Sequence, residues 1–155
     1  MSKLAAGDKA PEFNSTDQHG NPVTLADFAG KKIVLYFYPK DDTPGCTAES
    51  CSFRDSYAPL QEKGFEIIGV SVDNEVSHQK FVTKYELPFK LLADSDHSIV
   101  EAYGVWVEKN NYGKKYMGTA RETFVIDATG TITHIIKKVD TKDSAGQVLK
   151  LTEAV

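Results

Sequence analysis

The sequence predicts an α/β fold built on a central mixed β-sheet flanked by helices. Three observations carry this. The continuous apolar run Ile33–Tyr38 reads as a strand buried on both faces, and Phe65–Val72 reads as a second buried strand. A segment with helical spacing follows each run. The chain then closes on two strand candidates joined by the tight turn Ala128-Thr129-Gly130, which adds an antiparallel pair.

Each element has a local reason. Gln18-His19-Gly20-Asn21 is a hairpin turn ahead of Val23. The run Ile33-Val34-Leu35-Tyr36-Phe37-Tyr38 is rich in β-branched and aromatic residues, and Pro39 closes it because proline cannot donate to a ladder. Lys40 to Gly45 is a polar loop. Thr43 stands at the N-cap of the next helix, with Pro44 in the first turn, where a missing N–H costs nothing. Phe53, Tyr57 and Leu60 line its apolar face, and Gly64 ends it, so one helix is expected across this stretch. After the second strand, Asn74 caps a helix over Glu75–Tyr85. Lys90–Ala93 is a short strand and Ser95–Tyr103 a short helix. Lys114–Thr119 and Thr123–Asp127 are strands, Thr131–Val139 is the antiparallel partner of the latter, and Asp143–Leu151 is a closing helix.

Composition narrows the function classes. A chain of 155 residues fits one domain, 1–155, with a real core; about 68–70% of its unfolded surface is buried at this length. The net charge of -4 argues against a nucleic-acid footprint. No basic amphipathic helix points to a membrane surface. The segment MSKLAAGDKAPEF has no apolar core of the secretory type, and no run reaches the ~20 residues of a membrane span, so a cytoplasmic location is expected. His19, His78, His97 and His134 are scattered and form no ligand spacing with the two cysteines; no metal and no cofactor is expected.

The two cysteines are the chemical signal. A reducing compartment disfavours a permanent disulfide, so Cys46 and Cys51 suggest redox catalysis or a metal site, against the plainer reading of two buried small hydrophobes. Cys46 falls in the first turn of its helix. Backbone N–H groups there lack partners, and the helix end carries about +0.5 charge. Both favour a thiolate, the nucleophilic form, over a thiol of ordinary pKa near ~8.5. On an ideal helix, five residues give a Cα separation of roughly 8–9 Å. Cα atoms more than ~7 Å apart cannot be bridged without backbone movement. A Cys46–Cys51 bond would therefore require the first turns to unwind, with reduced and oxidised forms differing around residues 42–56.

The segment Tyr36-Phe37-Tyr38-Pro39-Lys40-Asp41-Asp42-Thr43-Pro44-Gly45-Cys46-Thr47-Ala48-Glu49 resembles the active-site segment of the peroxiredoxins. It is most similar to the bacterioferritin comigratory protein, or Q-type, group. Gly104-Val105-Trp106, Arg121 to Asp127 and Gly130-Thr131-Ile132 extend the resemblance, which runs from Gly7 to about Val139. It implies a thioredoxin-like fold and the reduction of hydrogen peroxide and organic hydroperoxides, in antioxidant defence, with thioredoxin as reductant. It implies that Cys46 is the peroxidatic residue and Cys51 the resolving one, in the atypical intramolecular class. It implies that Thr43 bonds thiolate and peroxide, that Pro39 shields the site and that Arg121 polarises it. A monomer is the expected state.

Each role has a plainer alternative. Thr43 also reads as a cap, Pro39 as a strand terminator and Arg121 as a surface charge. Glu49 reads first as an acid favoured by the helix dipole, with orientation of Arg121 as the second reading. Two other functions compete. A disulfide oxidoreductase would carry Cys-x-x-Cys, which is absent, and a binding or holdase module would not need a cysteine at a helix start.

Overall fold

The computed structural model describes residues 4–153. Its centre is β3 (Lys32–Phe37), whose residues Ile33 to Phe37 are all buried. β4 (Phe65–Ser71) lies parallel on one side, followed by parallel β5 (Lys90–Ala93). β8 (Glu122–Ile126) lies antiparallel on the other side, followed by antiparallel β9 (Ile132–Ile136). The sheet order is β5-β4-β3-β8-β9, a mixed sheet as expected.

Alternation along β3 explains its uninterrupted apolar sequence. Ile33, Leu35 and Phe37 enter one core, with Phe13, Phe28, Ile99 and Val100. Val34 and Tyr36 enter the other, with Cys46, Phe53, Leu60, Phe81 and Val148. The second core lies under the helices α1 (Pro44–Asp55), α2 (Tyr57–Glu62), α3 (Glu75–Tyr85) and α5 (Ser144–Glu153). The first lies under α4 (Ser98–Ala102) and the N-terminal hairpin of β1 (Asn14–Thr16) and β2 (Pro22–Thr24). The strand β1 and the strand β6 (Trp106–Asn111), which pairs with β7 (Lys114–Thr119), were not expected from sequence. The β6–β7 turn carries Tyr112 at φ 54 and Gly113 at φ 83, the geometry of a two-residue hairpin loop.

One glycine sets the depth of the helical core. Gly69 on β4 pairs with Tyr36 on β3. A Cβ there would lie 2.6 Å from Leu91 Cδ2 and 2.9 Å from the Tyr36 ring. Its absence lets the Tyr36 ring lie across the sheet and meet Ser50 of α1, with 2.8 Å between the hydroxyls.

The expected single helix after Thr43 is two. α1 stops at Asp55 and α2 starts at Tyr57. Pro59 has no N–H for the Asp55 carbonyl and its ring crowds that turn, so the helix breaks at Ser56 and resumes with the proline in a first turn. The short helix expected from Ser95 begins later, at Ser98, because Asp94 to His97 form a turn. The Asp94 carboxylate there accepts the N–H groups of Ile99 and Val100.

Candidate active site

The loop between β3 and α1 is pinned before the helix begins. The buried Asp41 carboxylate accepts the Tyr38 hydroxyl at 2.6 Å and the Ser77 hydroxyl at 2.8 Å, and lies 2.7 Å from His78 Nδ1. His78 Nε2 donates to the Leu92 carbonyl at 2.8 Å. The Asp41 N–H donates to the Asp73 carboxylate at 2.8 Å. Asp42 takes a left-handed conformation, φ 56, and its carboxylate accepts Lys84 Nζ and the Tyr85 hydroxyl, both at 2.8 Å. Two adjacent acids thus fasten the loop to α3 and fix where α1 starts. Pro39 stands half-buried at the start of this loop.

Thr43 occupies the N-cap position with extended backbone, but its hydroxyl makes no capping bond. It donates instead to the Lys40 carbonyl at 2.9 Å. The first intrahelical bond runs from the Thr47 N–H to the Thr43 carbonyl, so the N–H groups of Gly45 and Cys46 precede it. Cys46 is fully buried, facing the sheet, and is a free thiol.

Arg121 comes from the strand edge, just ahead of β8. One arm of its fork, Nη2, donates to Cys46 Sγ at 3.4 Å; the other, Nη1, donates to Glu49 Oε1 at 2.8 Å. Burial alone would lower the Arg121 value. The Cys46 sulfur and the Glu49 carboxylate outweigh it and hold the guanidinium above its ordinary range. Gly45 leaves the fork its space, since a Cβ there would sit 3.1 Å from Nη2.

Glu49 is not the first-turn acid of the first sequence reading: α1 starts at Pro44, which leaves Glu49 beyond its first turn. It is fully buried and ion-paired with Arg121, which is the second reading. Burial pushes its carboxyl up from 4.5 to about 7, and Arg121 offsets only part of this. Arg121 bonds one oxygen, and Oε2 has no hydrogen-bond partner among the described residues. The raised folded value means that the protonated form is the one the fold favours. Its stabilising contribution is fully present below pH 4.5 and is lost as pH rises through about 7. The shift corresponds to on the order of 3 kcal/mol. Glu49→Gln should remove this component. Urea titrations of the reduced protein at pH 5 and pH 8 should therefore differ less in the variant than in the wild type.

Cys51 lies on the same continuous helix and is half-buried. Burial pushes its thiol up, Arg54 counters this in part and Asp55 adds to it. Three bonds hold this part of α1: Tyr36 to Ser50 at 2.8 Å, the Ala145 N–H to Ser52 Oγ at 3.1 Å, and Arg54 Nη1 to the Tyr85 carbonyl at 2.9 Å. Lys109 on β6, which sequence reading did not single out, interacts electrostatically with Arg121 and Cys46. Burial and the Arg121 charge lower its ammonium, and the Cys46 sulfur works the other way.

Among the described residues, no group of three His, Cys, Asp or Glu side chains converges as a metal site. A cavity of about 570 Å³, lined by Pro11, Phe28, Ile33 and Ile126, lies at the opposite end of β3 from Cys46. No helix among the described residues is long and apolar enough to cross a membrane.

Comparison with known proteins places the chain in a family. Residues 6–135 match the AhpC/TSA family. Peroxiredoxin Bcp of Bacillus subtilis is 49% identical over 147 residues, covering 95% of this chain and 94% of the relative. A cysteine-to-serine variant of peroxiredoxin Q from Xylella fastidiosa superposes with a TM-score of 0.92 at 31% identity, over 99% of this chain and 98% of the other. The bacterioferritin comigratory protein of Xanthomonas campestris, solved in a study of its alkyl peroxide reduction, superposes at 0.86 and 36% identity, over 92% and 90% of the two chains. The fold is thioredoxin-like, and the chain belongs to the AhpC/TSA family, within its Bcp and Q-type peroxiredoxins.

Proposed function

We propose that the chain is a thiol peroxidase for hydrogen peroxide and organic hydroperoxides, with Cys46 as the peroxidatic residue and Cys51 as the resolving one. The observation that carries this reading is the Cys46 sulfur in the first turn of α1 with a guanidinium nitrogen 3.4 Å away. Alkyl peroxide reduction by the Xanthomonas campestris relative supports the substrate class.

The Cys46 sulfur, as thiolate, attacks one peroxide oxygen; an S–O bond forms and the O–O bond breaks. Negative charge develops on the departing hydroxide or alkoxide, which takes a proton and leaves as water or alcohol. Arg121 and the N–H groups at the start of α1 lower this barrier because they are fixed donors that need no reorganisation. The Thr43 hydroxyl commits its proton to the Lys40 carbonyl, so its oxygen is left as an acceptor for the peroxide O–H. Pro39 limits water at the sulfur. The Cys46 sulfenic acid then condenses with the Cys51 thiol, forming an S–S bond and releasing water. Since both cysteines lie on one unbroken helix, roughly 8–9 Å apart, α1 must open for this step. Opening costs the Arg121–Glu49 and Tyr36–Ser50 bonds. A dithiol reductant, thioredoxin, restores both thiols, and the protein works as a cytoplasmic monomer.

A thioredoxin-linked peroxide assay tests this. The wild type should turn over continuously. Cys51→Ser should consume about one peroxide per chain and then stall until a small thiol is added. Undiminished thioredoxin-linked turnover in Cys51→Ser would remove Cys51 from the cycle, and no turnover in the wild type would remove the peroxidase.

A further inference from the structure

The hairpin β6–β7 leads straight into Arg121, and its two faces differ. Lys109 pairs with Tyr116 and Val107 with Gly118, so these four residues share one face. Glu108 and Lys115 lie on the other face and pair with each other at 3.6 Å. Gly118 is not at a turn, and its φ is not in the left-handed region, so its backbone does not require glycine. A Cβ there would lie 3.1 Å from Lys109 Cδ, 3.3 Å from Cε and 3.4 Å from the Tyr116 ring. Gly118 is therefore the slot along which the Lys109 stem lies, beside Tyr116.

Lys109 is half-buried, and its ammonium makes no hydrogen bond or ion pair among the described residues. It interacts electrostatically with Arg121, which repels it, and with Cys46. A partly desolvated cation held beside another cation is unfavourable on its own, and an arriving anion relieves that cost.

We propose that Lys109 is a specificity-determining residue that favours hydroperoxides carrying a carboxylate, bound against the Tyr116 ring with the peroxide at Cys46. This rests on the peroxidase reading above. The test compares second-order rate constants for cumene hydroperoxide and its para-carboxylate analogue, in wild type, Lys109→Met and Lys109→Arg. Methionine keeps the stem and removes the charge. The wild type should favour the carboxylate, and the ratio of the two rates should fall about tenfold in Lys109→Met and recover in Lys109→Arg. Raising salt to about 1 M should erase the preference in the wild type and leave the Lys109→Met ratio unmoved. If Lys109→Met slows both substrates equally, the cation serves only the sulfur and the specificity role is overturned. If the wild type reduces neither hydroperoxide nor hydrogen peroxide, the peroxidase reading falls and takes this assignment with it; activity on hydrogen peroxide alone, or on both hydroperoxides with no preference, overturns this assignment alone.

Discussion

Serine at position 46 should reduce peroxide turnover to the uncatalysed background while leaving the fold intact. Oxygen replaces sulfur with little change in shape, so the burial of the side chain beneath α1 is preserved. What is lost is the chemistry. A serine hydroxyl at neutral pH is not a soft anion, and it has no oxidation ladder from which a sulfenic acid could form. The measurement is peroxide consumption with reductant in excess, paired with circular dichroism to show that Cys46→Ser is folded. Wild-type-like turnover in this variant would mean that the reacting atom lies elsewhere.

The second large effect belongs to Arg121. Its fork joins two sites at once, Sγ of Cys46 at 3.4 Å and Oε1 of Glu49 at 2.8 Å. Removing a preorganised donor of this kind costs about a hundred- to a thousandfold in rate. Arg121→Met should show a loss of that size in the second-order rate with hydrogen peroxide, measured by stopped flow. Arg121→Lys should recover only part of it. A lysine keeps the charge but is a single point donor, so it cannot hold sulfur and carboxylate in the fork geometry. A full rescue by lysine would show that charge alone, without the fork, accounts for the effect.

Those features that depend on neighbours in sequence are legible in the sequence. The run from Ile33 to Tyr38 is apolar on both faces because β3 lies between two cores, and continuous hydrophobicity is the local mark of such a strand. The start of α1 follows from Thr43-Pro44, and the position of Cys46 in its first turn follows from that start. Local spacing also placed Cys46 and Cys51 on one helix.

What the sequence did not show depends on distant partners or on a single override. Glu49 was read by its helix position, whereas its environment is set by Arg121, 72 residues away in the chain. Asp41 and Asp42 read as loop polarity; their partners on α3 make them fasteners of the loop. β6 escaped notice because Trp-Val-Glu-Lys-Asn-Asn has weak alternation, as expected for a strand on an exposed two-stranded hairpin. The Pro59 ring was visible in the sequence, and weighing its missing N–H would have predicted the break at Ser56. Thr43 was correctly placed at the N-cap, but which acceptor its hydroxyl chose depended on the turn bringing the Lys40 carbonyl within 2.9 Å.

The most direct test is intact mass and peptide mapping of the reduced protein after one equivalent of hydrogen peroxide, quenched by alkylation. The account predicts the loss of two hydrogens, neither thiol left to alkylate, and a single cross-linked peptide joining Cys46 to Cys51. An unchanged mass with peroxide unconsumed, or an oxygen retained on Cys46 beside a fully alkylated Cys51, would contradict it.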